Sequence, residues 1–135
     1  MRSHFLFLLS PVLGIILSCS SPTNEPAHDQ WKVINYWAIW CKPCREEIPE
    51  LNRLDLDEKL TVLGVNFDGK TGSALAADAN NLGIQFKNIP DPSEKLNLER
   101  PRALPTTFIV SPEGSVKAVL VGPQTEDSIL AVILD

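Results

Sequence analysis

The pentapeptide Trp40-Cys41-Lys42-Pro43-Cys44 constrains this chain more than any other feature. It follows the apolar run Val33-Ile34-Asn35-Tyr36-Trp37-Ala38-Ile39 and opens a segment with helical periodicity. The chain must therefore pass from a strand directly into a helix at the cysteines. A Cys-x-x-Cys pair at such a junction can close a small disulfide ring, and its first cysteine can become an exposed, stabilised thiolate. That is the chemistry of thiol–disulfide exchange.

The exchange reading makes physical demands that these residues meet. Cys41 falls at a helix N-terminus, where unpaired N–H groups and the helix dipole favour an anion. Lys42 and Arg45 add positive charge. Free cysteine has a pKa near about 8.5, and such settings lower it to roughly 3.5–7.5. Glu46 and Glu47 in the same turn are expected to offset part of that effect. Cys44, one turn inward, is the expected shielded, resolving thiol. A zinc site, the competing use of Cys-x-x-Cys, requires four ligands. Apart from Cys19 the mature chain offers no further cysteine, and His28 stands alone. The pair itself is the redox centre, so neither metal nor other cofactor is expected. A pair of inert buried cysteines fits poorly with a lysine at the mouth of a helix.

The amino terminus sets the compartment. Arg2 precedes two apolar stretches, Phe5-Leu6-Phe7-Leu8-Leu9 and Val12-Leu13-Gly14-Ile15-Ile16-Leu17, the pattern of a secretory signal over residues 1–18. The competing reading is a buried N-terminal helix of the fold. The segment ends Ile16-Leu17-Ser18-Cys19, which resembles a bacterial lipoprotein cleavage site although Leu17 is larger than the usual residue there. Cys19 then becomes the lipidated first residue. An ordinary signal peptide, leaving Cys19 as a free thiol or removing it, is the alternative. Ser20 after Cys19, rather than aspartate, favours the outer membrane over the inner one. Residues 20–29 are polar with two prolines and read as a tether reaching roughly 33 Å, so 19–29 forms a lipid-anchored spacer. From Gln30 to Asp135 the length suits one compact domain. The precursor carries a formal charge of −5, which with no basic run argues against nucleic acid.

Within 30–135 the pattern predicts a buried strand over 31–37 and a helix from Pro43 to Leu56, kinked at Pro49. A strand follows over 60–67, then a helix over 73–82 stopped by Gly83. Asp91-Pro92-Ser93 starts a short helix through Leu98. Strands over 106–110 and 116–121 are joined by the turn Ser111-Pro112-Glu113-Gly114, and a last helix runs from an N-cap at Thr125 to Leu134. The expected architecture is α/β, a mixed four-stranded sheet with helices on both faces.

Further residues sharpen this. Asn35-Tyr36-Trp37-Ala38, Trp40-Cys41-Lys42-Pro43-Cys44, Glu47-Ile48-Pro49, Gly64-Val65-Asn66, Leu104-Pro105-Thr106-Thr107-Phe108, Gly122 and Thr125-Glu126 stand in this chain. Together they resemble the thioredoxin superfamily, and within it the TlpA/ResA-like thiol–disulfide oxidoreductases of the bacterial cell envelope. The resemblance runs from Val33 to the C-terminus and implies a thioredoxin-like fold; those relatives usually carry a β-hairpin ahead of the first core strand, whereas here only Gln30 stands between the tether and Trp31, so a near-minimal version is expected. It implies a cis bond before Pro105, a substrate groove lined by Trp40, Leu104 and Pro105, and tuning of the pair by Lys42 and Pro43. It also implies a monomer that exchanges electrons with disulfide-containing envelope proteins and a membrane electron donor, anchored to the bilayer by acylation. Keeping haem-attachment cysteines reduced for cytochrome c maturation is the commonest role in that branch.

Other members place a glutamate after the second strand to handle protons near the inner cysteine. Here Gly69 falls at that place with Asp68 one residue earlier, so Asp68 is either a substitute or a turn residue. Two rival functions share the same residues. One is an envelope oxidase or isomerase. The other is a copper-delivery protein, which on this fold uses wider cysteine spacing and a distant histidine, whereas no histidine follows Gln30.

Overall fold

The computed structural model describes residues 29–135. The expected signal, Cys19 and residues 20–28 of the tether lie outside the described residues. The element order is β1 Trp31–Trp37, α1 Lys42–Leu54, β2 Leu60–Asn66, α2 Gly72–Leu82, β3 Lys87–Asn88, a 3₁₀ turn at Glu94–Leu96, β4 Thr106–Val110, β5 Val116–Val121 and α3 Glu126–Leu134. Among the described residues no helix is long and apolar enough to cross a membrane.

The strands form one sheet in the order β3-β2-β1-β4-β5. β1 is parallel to β2, with Val33 opposite Val62, and antiparallel to β4, with Ile34 opposite Phe108. β1 is central and covered on both faces, which is why its sequence is almost continuously apolar. The fifth strand, β3, adds to the four expected from the sequence. It has two residues, Lys87–Asn88, paired with Leu63 and Gly64, too short to leave an alternating pattern.

The two faces are covered unequally. The steps β1-α1-β2 and β2-α2-β3 move the same way across the sheet, so right-handed crossovers put both helices on one face. Packing agrees: Val33, Val62 and Ile109 meet Leu51 and Leu54 of α1 and Ile129 of α3. On the same side Trp37 meets Cys44 and Ile48 of α1 and Ala79 and Leu82 of α2. The opposite face, with Ile34, Tyr36, Leu63, Val65 and Phe108, is covered by Ile89, Leu96, Leu98 and Leu104. Those belong to the segment that returns from β3 to β4, and its only helical piece is the 3₁₀ turn. The return segment therefore lies across the sheet and delivers Leu104–Pro105 to the end of β1 where the cysteines begin.

Local chemistry fixes the ends of these elements. α1 runs through Pro49, which lies on its exposed side, and stops at Leu54. Gly83 ends α2 in the left-handed conformation at φ 72°, where a glycine avoids the Cβ clash. Thr125 caps α3, its side chain accepting from Ser128 N–H while Ser128 returns the bond to Thr125 N–H. Gly64 answers a different need: a Cβ there would lie 2.3 Å from Asn88 Oδ1 and 2.9 Å from Trp37 Nε1. Those two atoms hydrogen-bond to each other at 2.9 Å, so the absence of a side chain makes room for the link between β1 and β3.

Candidate active site

Cys41 is the N-cap of α1, with extended backbone (φ −83°, ψ 101°). Its Sγ is bonded to that of Cys44 at 2.09 Å, with χ3 82° and Cα atoms 5.3 Å apart. The Cys41 Sγ also accepts the Cys44 N–H at 3.2 Å, the place an N-cap side-chain oxygen takes in other helices. This N–H and the helix dipole stabilise negative charge on Cys41 when the ring opens. Cys41 retains 4% of its surface and Cys44 none, so in the disulfide form even the outer sulfur is largely covered. Pro43 occupies the first turn, where its missing N–H costs no helical bond. Lys42 is exposed, and Arg45 donates to the Ile39 carbonyl at 3.1 Å, bracing the loop ahead of the pair.

Leu104 and Pro105 reach this region by the return segment. Leu104 packs against the cluster that holds Cys41 and Cys44, and the Leu104–Pro105 bond is cis. The Pro105 carbonyl accepts Gly122 N–H at 2.9 Å, fastening the loop to the end of β5. Leu104 takes no part in the backbone hydrogen bonds of turns, loops and caps among the described residues. Its N–H and C=O form an edge that an extended chain can pair with. Trp40, 62% exposed, stands beside Cys41 in sequence.

The acids occupy two different settings. Asp68 is exposed, and both its carboxylate oxygens accept the Trp40 indole N–H, at 3.1 and 3.2 Å. Glu46 and Glu47, which share the turn after Cys44, separate: Glu46 is exposed. Glu47 is buried, 1% exposed, with Oε1 accepting from Asn35 Nδ2 at 2.6 Å and Oε2 from Gln124 N–H at 2.9 Å. Burial pushes its pKa up to about 7, against the two hydrogen bonds, from Gln124 and Asn35, that favour the charged form. Asn35 also donates to Thr107 Oγ1 at 3.1 Å, while its Oδ1 is buried with no partner among the described residues. Glu47 lies three residues after Cys44 on the same helix face, where Cβ atoms stand about 5–6 Å apart.

The structure thus packs Leu104, the residue before the cis Pro105, against the cluster of Cys41 and Cys44, and hydrogen-bonds Asp68 to Trp40. Sequence reading passed over Glu47 and Asn35 as a buried pair. The signal was available in the helix phase: Glu47 sits in line with Cys44, Leu51 and Leu54, all buried, and Asn35 interrupts a buried strand.

Fold and site together define a thioredoxin-like thiol–disulfide oxidoreductase. Residues 21–119 match the AhpC/TSA family, and the chain belongs to that family. It is 30% identical to the thioredoxin-like protein YneN of Bacillus subtilis, over 82% of this chain and 67% of that protein. It is 36% identical to the thiol:disulfide interchange protein HelX of Rhodobacter capsulatus, over 73% of this chain and 56% of that protein. The chain therefore spans little more than half the length of HelX. Among solved structures it is similar to a secreted thiol-disulfide isomerase from Corynebacterium glutamicum, with TM-score 0.62 and 25% identity, covering 79% of this chain and 72% of that one.

Proposed function

We propose that this protein is a membrane-tethered disulfide reductase of bacterial envelope proteins. The observation that carries the reading is the Cys41–Cys44 disulfide at the mouth of α1, with Leu104 packed against its cluster and its backbone N–H and C=O in no hydrogen bond of turns, loops or caps among the described residues. In the reduced protein the Cys41 thiolate attacks one sulfur of a substrate disulfide. That S–S bond breaks, a mixed disulfide forms, and the departing substrate sulfur takes a proton. Cys44 then attacks Cys41 Sγ, releases the second substrate thiol and leaves the Cys41–Cys44 disulfide. Two electrons have passed to the substrate, and a dithiol donor in the membrane restores the pair.

Location follows from the amino terminus. Residues 1–18 direct export, Cys19 carries lipid, 19–29 is the spacer, and the domain from 30 onward works on the periplasmic side. The export pattern of residues 1–18 and the secreted relative support this assignment. Substrates are proteins whose cysteines must be kept reduced, as in the maturation of cytochromes c.

Replacing Cys44 with serine tests the mechanism in cells. Cys44→Ser is expected to accumulate mixed disulfides joined through Cys41, dissolved by dithiothreitol, while Cys41→Ser accumulates none. Trapping through neither cysteine would overturn the reading.

A further inference from the structure

Trp40 presents an exposed indole beside Cys41; Asp68 and Phe67, just after β2, touch it, and the return segment backs Phe67. The Trp40 ring meets Phe67 edge-on at a centroid separation of 6.2 Å. The Phe67 ring in turn carries the Arg100 guanidinium 4.0 Å from its centroid, and Arg100 Nη2 also donates to the Phe67 carbonyl. From the other side Asp91 Oδ2 accepts from Arg100 Nε at 3.2 Å. Asp91 Oδ1 accepts from the Tyr36 hydroxyl at 2.6 Å and from Ser93 N–H at 2.9 Å. A fully buried tyrosine on the central strand therefore anchors, through Asp91 and Arg100, the ring on which Trp40 rests.

Arg100 also belongs to the segment that ends in the other wall of the cleft, since Pro101, Arg102 and Ala103 lead directly from it to Leu104. One guanidinium thus fastens that segment to the platform under Trp40. From this we infer that Arg100 is a positioning residue that sets the spacing between Trp40 and the Leu104–Pro105 loop, and so governs how firmly a protein substrate is gripped. The inference rests on the reading of that cleft as the substrate groove. Arg100 acts through Phe67 and does not touch the sulfurs, so its loss weakens binding of an extended chain and leaves the chemistry of the pair intact. Arginine suits this place because its planar group can lie on an aromatic face while its N–H groups bond a carboxylate and a carbonyl.

The test uses the full chain, with insulin as the protein disulfide. R100A and F67L are each expected to raise KM for insulin about fivefold, roughly 1 kcal/mol, with kcat changed less than twofold. The redox potential of the Cys41–Cys44 pair stays where it is. R100K keeps a cation for Phe67 and Asp91 and loses less than twofold. In nitrogen-15 spectra the Trp40 indole N–H resonance shifts or broadens in R100A and F67L and returns towards the native position in R100K. F67L keeps the Arg100–Asp91 pair and carries the test if R100A fails to fold. Three results would overturn the inference: an unmoved Trp40 resonance, an unchanged KM in both variants, or a KM effect in R100A alone, which would make Arg100 a substrate contact. A native protein that binds and reduces no insulin would instead overturn the groove reading, while the indole resonance would still report whether the clamp exists.

Discussion

Glu47 Oε1 lies 2.6 Å from the Asn35 side-chain nitrogen, so an acid of α1 and an amide of β1 meet in the interior one helical turn below Cys44. Neither group is exposed, and the second carboxylate oxygen is held by Gln124 N–H at the entry to α3. Three elements converge on one carboxyl whose pKa burial raises to about 7. Its charge changes near neutrality, in the range where a cysteine at a helix N-terminus also changes charge.

This arrangement predicts a slope in stability with pH. The folded-state pKa of Glu47 lies above its ordinary value of 4.5, so the unfolded chain releases the proton first. Stability from this group is complete below pH 4.5 and is lost as pH rises through about 7, an effect of roughly 3 kcal/mol. Glu50, Asp91 and Glu113 are shifted the other way, so their contributions change below the ordinary carboxylate range and outside this window. Glu47→Gln keeps the shape without the titration. It is expected to flatten urea-unfolding stability between pH 4.5 and 8, while losing about 1–3 kcal/mol in acid because one amide hydrogen faces a donor. An unchanged slope in the variant would show that Glu47 is not the group responsible.

The order of the cysteines at the cap predicts which thiol reacts. Cys41 Sγ receives the Cys44 N–H and keeps the larger share of surface, whereas Cys44 is enclosed by Trp37, Ile48 and α2. Brief alkylation of the reduced protein, followed by peptide mapping, is expected to label Cys41 at least about tenfold faster, as thiolate character and access both favour it. Equal labelling, or preference for Cys44, would reverse the assigned roles.

Gly64→Ala is expected to destabilise the protein by about 1–3 kcal/mol through overpacking and a broken, partly buried hydrogen bond. The added Cβ lands 2.3 Å from Asn88 Oδ1 and displaces the partner of the Trp37 indole. Denaturant unfolding reads the loss. A variant as stable as the native protein would mean that β3 can move aside at no cost.

Legibility in the sequence followed the length and regularity of each element. β1 and β2 are marked by near-continuous apolar runs, α1 by its buried face and α2 by an alanine-rich stretch ended at Gly83, so their positions are readable to within a residue or two at most ends. The turn Ser111-Pro112-Glu113-Gly114 marks the β4–β5 hairpin by its chemistry. The stretch 84–104 is hard to read, because its strand has two residues, its only helical piece is one 3₁₀ turn, and its apolar residues Phe86, Ile89, Leu96 and Leu98 are buried to unequal extents at irregular spacing. Its role depends on lying across a face built by distant strands, which no local pattern encodes. The cysteine pair was visible because its chemistry is local. The Glu47–Asn35 contact and the Arg100–Phe67–Trp40 stack were not, since the first depends on how α1 packs against β1 and the second joins residues from three distant segments.

Direction of electron flow is the final prediction. The residues between the cysteines are Lys42 and Pro43. Lys42 is exposed, so water screens its attraction for a Cys41 thiolate. A disulfide becomes a strong oxidant when the reduced, thiolate form of the protein is heavily stabilised. The site supplies the helix N-terminus for this purpose, whereas the one carboxyl beneath the pair opposes it above pH 7, where Glu47 is charged. The disulfide should then be comparatively stable and the dithiol a good donor. Titration against dithiothreitol at pH 7 is expected to give a potential closer to about −270 mV, as in thioredoxin, than to about −120 mV, as in a strong periplasmic oxidant. Each 30 mV is worth about 1.4 kcal/mol for this two-electron couple, so the two outcomes are well separated. Glu47→Gln removes the buried negative charge and should raise the potential measured at pH 8 more than that measured at pH 6. A native potential near about −120 mV would reverse the assignment and make the protein an oxidase of the same envelope substrates.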